Sequence, residues 1–238
     1  MCRGLNAGFV ALFVPLILLP GSCRISADDK APSRYQSPTA VFDAFREARG
    51  NGDWRKVFSL LTPEGQKDAL FEAFFACGMH ESKEELAIQK KHGLDEATLT
   101  GTLKNEYKAK HGVDADDAAL SDFLHKEYGV DVGKPGAGKS GIEPGPASNE
   151  SKRDAMCNFL VAHVKDKAGF FAAVANLPDR PISPLGKLEH LSVGADTATG
   201  DAKLTFIPTP GESAPIVKEQ NKTFRFQKVN GGWLLESL

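Results

Sequence analysis

The stretch Gly133-Lys134-Pro135-Gly136-Ala137-Gly138-Lys139-Ser140 matches the phosphate-binding P-loop pattern letter for letter. In that motif backbone N–H groups cradle phosphates, the lysine contacts them and the serine holds Mg²⁺. The flanks do not supply the context. Tyr128-Gly129-Val130-Asp131-Val132 is too short and polar for a buried strand, and Gly141, Pro144, Gly145 and Pro146 forbid the helix that should follow. A Gly/Lys-rich linker is the expectation. Asp114-Ala115-Asp116-Asp117 has the carboxylates of a calcium loop, but Ala119 stands where the turn needs glycine and His125 where a bidentate Glu should close it. Of the six histidines, none forms a HExxH pair, and His92 and His111 fall where helices should end. No serine lies in a nucleophile-elbow pattern. These readings imply no cofactor and no metal site.

Cys77 and Cys157 lie on apolar helical faces. In an oxidising compartment they could pair, closing a loop worth roughly 3–5 kcal/mol in the chain-entropy model. The alternative is two separate buried thiols. A catalytic pairing with His163 or His80 is disfavoured, because apolar burial holds a thiol protonated. Phe42, Phe45, Phe58, Phe71, Phe74 and Phe75 form stripes that suit a core better than a ligand box. Asn149-Glu150-Ser151 and Asn221-Lys222-Thr223 match the glycosylation acceptor pattern.

The chain of 238 residues carries 29 Lys+Arg against 31 Asp+Glu, a net charge of -2 with 41% hydrophobic residues. That length can bury a real core. The balance excludes a general nucleic-acid binder, and the apolar content excludes global disorder. Arg3 and the apolar run Phe9–Leu19 read as a secretory signal peptide over residues 1–27, too short to span a membrane. Cleavage after Ala27 would free a soluble chain. Pro20-Gly21-Ser22-Cys23 instead resembles a bacterial lipobox, which would put a lipid tether on Cys23, although Pro20 stands where the pattern wants Leu.

After a flexible linker at 28–36, Ser37-Pro38 starts a helix as N-cap and N1. Val41, Phe42, Phe45 and Ala48 share one face. Asp53 caps a second helix carrying Trp54, Val57, Phe58 and Leu61. Thr62-Pro63 starts a third, ending near Gly78. Lys91-His92-Gly93-Leu94-Asp95 returns as Lys110-His111-Gly112-Val113-Asp114, and Tyr128-Gly129-Val130-Asp131 echoes it. Each glycine suits a helix end and each aspartate the next N-cap. Short helices near 82–91, 95–110 and 114–128 follow, forming a peripheral insertion over about 80–150. Another helix should run from Lys152 to Leu177, with Gly169 as its breaking point.

The last fifty residues change to a period of two. Lys187–Val193, Ala202–Pro208, Lys222–Val229 and Trp233–Leu238 read as strands, with turns at Thr199-Gly200-Asp201 and Asn230-Gly231-Gly232. Short links make the sheet antiparallel. The fold class is therefore α+β, with N-terminal helices packed on a C-terminal antiparallel sheet.

A first helix, then Asp53-Trp54 and Leu60-Leu61-Thr62-Pro63-Glu64, then a meander ending Gly231-Gly232-Trp233-Leu234-Leu235, resembles the nuclear transport factor 2-like superfamily, including its exported bacterial members. The resemblance covers about residues 37–77 and 185–238, within one domain at 37–238. It implies a cone, a curved sheet over helices with a pocket inside. Some members are isomerases, dehydratases or cyclases, and many only bind a ligand or partner. The isomerase type uses a pocket carboxylate with a Tyr or acid donor. Tyr35, Tyr107 and Tyr128 all fall outside the resembling segments. The leading expectation is thus a non-catalytic module for a small apolar ligand or a protein partner. The alternative is an isomerase- or dehydratase-like enzyme with His190, Glu189, Asp43 or Arg225 in the pocket. A third reading makes 82–131 a docking surface.

Overall fold

Ser37 and Pro38 start the first helix as their chemistry requires. The Ser37 hydroxyl accepts the Ala40 N–H at 3.1 Å, and α1 runs Pro38–Gly50. The Asp53 carboxylate caps α2, Trp54–Ser59, by accepting the Lys56 N–H at 3.1 Å. The expected second helix carried Leu61. It stops earlier because residues 60–62 pair with the end of the chain: the Thr62 N–H donates to the Leu235 carbonyl at 2.7 Å, and the Leu235 N–H to that of Leu60 at 3.0 Å. Thr62 then caps α3, Pro63–Gly78, accepting the Gly65 N–H at 3.1 Å. The computed structural model describes residues 35–78, 82–130, 149–178, 180, 182–206 and 218–238. The expected leader at 1–27 with Cys23, most of the linker, His80 and the P-loop-like stretch lie outside the described residues. Among those described, no helix is long and apolar enough to cross a membrane.

The repeated segment forms α4, Lys83–Lys91, α5, Glu96–His111, and α6, Asp117–Tyr128. Its aspartates and glycines act as expected at most ends: Asp95 caps α5, and Gly112 and Gly129 close α5 and α6 in the left-handed conformation. The cap of α6 is Asp116, not Asp114. Asp116 accepts the Ala119 N–H at 2.8 Å, while Asp114 turns back to Lys108 at 2.9 Å. The insertion is less peripheral than expected. Leu94 joins the main core, and Leu103, Leu120, Phe123 and Leu124 form a second cluster with Ala155 and Phe159.

The helical stretch expected from Lys152 to Leu177, with its break at Gly169, forms two helices: α7, Asn149–His163, and α8, Lys167–Ala175. The break falls at 164–166 rather than at Gly169. Asp166 adopts a left-handed φ of 41°, accepts the Gly169 N–H at 2.9 Å to cap α8, and receives Arg55 from α2 at 3.0 Å. Gly169 lies inside α8 because a Cβ there would collide with that Asp166–Arg55 pair.

The four strands are β1, Glu189–Val193, β2, Thr197–Phe206, β3, Lys218–Val229, and β4, Gly232–Leu235. They pair in sequence order, all antiparallel. Asn230 and Gly231 make the last hairpin turn with positive φ, as expected. Thr199-Gly200-Asp201 is not a turn. It runs through β2, with Gly200 opposite Phe224, and the reversal lies at Gly194, whose N–H bonds the Thr197 carbonyl at 2.8 Å. Gly200 is a packing residue: Leu188 stands 2.9 Å from where its Cβ would be.

The chain is α+β, with its antiparallel sheet in the C-terminal part. Alternation along β3 turns Phe224 and Phe226 inward and Thr223, Arg225 and Gln227 outward. Phe42 meets Phe224 edge-on at 5.1 Å and Phe226 at 6.5 Å, and Phe45 lies 5.9 Å from Phe224. Helix α1 thereby covers the inner face with rings, a contact worth more than its area alone.

Candidate functional site

The four ionisable candidates are not brought together. Glu189 and His190 are exposed on β1, at one end of the strand order, with the His190 ring 3.7 Å from Asp201. Asp43 is exposed on α1 and pairs with Arg46 at 3.2 Å. Arg225 points outward because its neighbours Phe224 and Phe226 point in. The space between α1 and the sheet, where a cone pocket was expected, holds the rings of Phe42, Phe45, Phe224 and Phe226. Phe58 is core as well, against Phe171 at 5.6 Å. Phe75 departs from the core reading: it is 58% exposed and stacks on Phe71 at 6.3 Å.

A cleft lies instead on the helical side. Gly65, Ala69, Ala73 and Ala76 recur at helical spacing on one face of α3. Their small side chains leave space that Phe171, Val174 and Ala175 of α8 border but do not fill. Arg153, Arg180 and the C-terminal Ser237 and Leu238 complete a cleft of about 480 Å³. Gly65 also lets the last residues lie close over α3, since a Cβ there would stand 2.3 Å from the Glu236 carbonyl oxygen.

The two acids of the rim share one cation. Arg153 reaches Asp68 at 3.1 Å and Glu72 at 3.5 Å, with its guanidinium 5.3 Å above the Phe71 ring. These groups are half exposed, so each pair contributes less than about 1 kcal/mol and orients more than it stabilises. The floor is apolar and the rim acids are engaged by Arg153. That combination suits an apolar body with a few polar contacts at its edge. Among the described residues, no three His, Cys, Asp or Glu side chains converge as a metal set.

Cys77 and Cys157 are buried thiols. Burial raises both above the ordinary thiol range; the Glu85 charge adds to the shift at Cys77 and that of Asp68 at Cys157, so neither is poised as a nucleophile. Cys157 lies on α7 and Cys77 on α3, and the two are not bridged. The Cys77 sulfur lies 3.5 Å from the Glu85 carbonyl, whereas Cys157 feels Asp68 and Glu64 near the start of α3. The intact mass of the purified protein should therefore be the same before and after reduction. A gain in mass on reduction would mean a bridge and a shift of α7 along α3.

Sequence reasoning did not find the cleft. Its signal was present in the small-residue spacing of α3, which also describes any tightly packed helix. A second missed cluster joins the insertion to the body. Tyr128 donates to Glu106 at 2.9 Å, with Tyr128 pushed up to about 12 by burial and then by that carboxylate. The same carboxylate lies 3.3 Å from Nε2 of the buried His163, whose Nδ1 bonds the Phe159 carbonyl at 2.8 Å. This ties α5, α6 and α7 together. No family model, curated protein or solved structure matches the chain.

Proposed function

We propose that this protein is a non-catalytic binding module that takes a small, largely apolar molecule into the cleft between α3, α7 and α8. The cleft carries the reading: its volume of about 480 Å³ falls in the range of small-molecule sites, roughly 300–1,000 Å³. Its floor is alanine, valine and phenylalanine, and its acids are engaged by Arg153. The order of helices followed by an antiparallel meander agrees with kinship to the nuclear transport factor 2-like superfamily, which we propose on the residues quoted above. In this reading the protein acts after export, either freed near Asp28 or tethered by a lipid on Cys23. The intact mass of the mature chain distinguishes the two.

The test fills the cleft. Anilinonaphthalene sulfonate, a fluorescent probe with an apolar body and one anionic group, should bind the protein saturably. Ala76→Phe places a ring in the cleft from a half-buried position. It should weaken the probe by about tenfold or more, the effect of losing one good apolar contact, with circular dichroism unchanged. Equal binding by the variant and the parent would overturn the assignment.

A further inference from the structure

Two cations lie by the inner side of the sheet, away from the cleft: Lys222 beside the Phe224 ring, and Arg49 one helical turn past Phe45, whose ring lies 5.9 Å from that of Phe224. Lys222 stands opposite Ala202 on β3 and two residues before Phe224. Ala202 and Phe224 are each only 2% exposed, so Lys222 continues the face that α1 covers. Its ammonium lies 5.6 Å from the Phe224 ring centre. Arg49 follows buried Ala48 near the end of α1, and its Nε is buried with no hydrogen-bond acceptor among the described residues. No carboxylate of the described residues comes within ion-pair distance of either side chain.

Such an arrangement is costly by itself. A cation taken from water without a partner loses solvation, and a second cation beside it adds repulsion. Both costs register at Lys222, which burial and then the Arg49 charge hold below the usual lysine range. Burial likewise lowers Arg49. The carbonyl end of α1 attracts a single cation at Arg49. It does not account for a lysine turned inward from the sheet. An unpartnered guanidinium N–H and an ammonium are the donors that hold a phosphate, one through a fork and one as a point charge.

We propose that Arg49 and Lys222 form a phosphate-binding site between the end of α1 and the inner face of β3. A dianion there would neutralise both charges, supply the acceptor that the Arg49 Nε lacks, and be favoured over a monoanion.

Inorganic phosphate and acetate, titrated into the full-length protein at constant ionic strength, test this. Thermal stability should rise saturably with phosphate and much less with acetate. Lys222→Met keeps the aliphatic stem over Phe224, and Arg49→Gln keeps a polar group. Each should weaken phosphate by about tenfold or more, as expected for one charge-assisted hydrogen bond. Lys228→Gln, an exposed position on the same strand, should leave the phosphate affinity unchanged. The parent protein with ¹³C-labelled lysine gives a reading that needs no variant to fold: phosphate should move the Lys222 titration back up toward the ordinary lysine range. A phosphate response shared equally by all three variants, an acetate response as strong as that of phosphate, or an unmoved Lys222 titration would overturn the site.

Discussion

Phe42→Ala should destabilise the fold by about 3–5 kcal/mol, the cost of deleting a buried aromatic ring and leaving a cavity. Phe42 is fully buried, and its ring lies 5.1 Å from Phe224, 6.5 Å from Phe226 and 6.2 Å from Phe45. Those contacts join α1 to β3, so the loss falls on the interface between the helical and sheet layers. The neighbouring rings are themselves confined and cannot collapse into the gap. Urea denaturation measures the effect as a lower midpoint. Phe75→Ala is the control, since that ring is 58% exposed and its removal should change stability by no more than about 0.5 kcal/mol. Similar midpoints for the two variants would mean that α1 does not hold the sheet.

Gly65→Ala should cost about 1–3 kcal/mol, the range for forcing an extra methyl into packed structure. The added Cβ would lie 2.3 Å from the Glu236 carbonyl oxygen and 3.0 Å from its carbon. Those are backbone atoms at the end of β4 and have no alternative rotamer. The chain would have to lift off α3, loosening Ser237 and Leu238 at the cleft wall. The sign makes the test sharp. In an open helix the same substitution stabilises by about 0.5–1 kcal/mol. Gly101 on α5 is such a place, with nothing within 4 Å of where its methyl would stand, so Gly101→Ala should raise the midpoint that Gly65→Ala lowers. If both variants raised it, the C-terminal residues would not rest on α3.

The helix starts were legible because each is a local event. Ser37, Asp53 and Asp95 bond amides only three residues on, and a side chain of the right length next to an apolar period suffices to specify that. Val41, Phe42, Phe45 and Ala48 announced the buried face of α1, and the alternation at Thr223–Gln227 announced which side of β3 faces inward. The misreadings at the two glycines share one cause: the deciding contact comes from outside the local segment. Gly200 read as a turn because glycine permits one, and it is a strand residue because Leu188 needs its missing side chain. Gly169 read as a helix break because glycine weakens helices. The break lies upstream because Asp166 is caught by Arg55, 111 residues away in the chain.

The candidate sites divide in the same way. That α3 carries a stripe of small residues, and that Arg49 and Lys222 are cations, is written in the chain. Whether the stripe is closed by a neighbouring helix or left open as a cleft depends on where α7, α8 and the last residues come to lie. Whether two cations lie by the sheet without a carboxylate depends on strand register, which brings Lys222 opposite Ala202 and onto the inner face. The amino-acid sequence by itself determined the α+β class, the caps and the apolar faces, since these are set by bonds and periods spanning a few residues. The tertiary structure alone decided the cleft, the separate thiols and the cation pair, since each depends on the spacing of elements far apart in sequence.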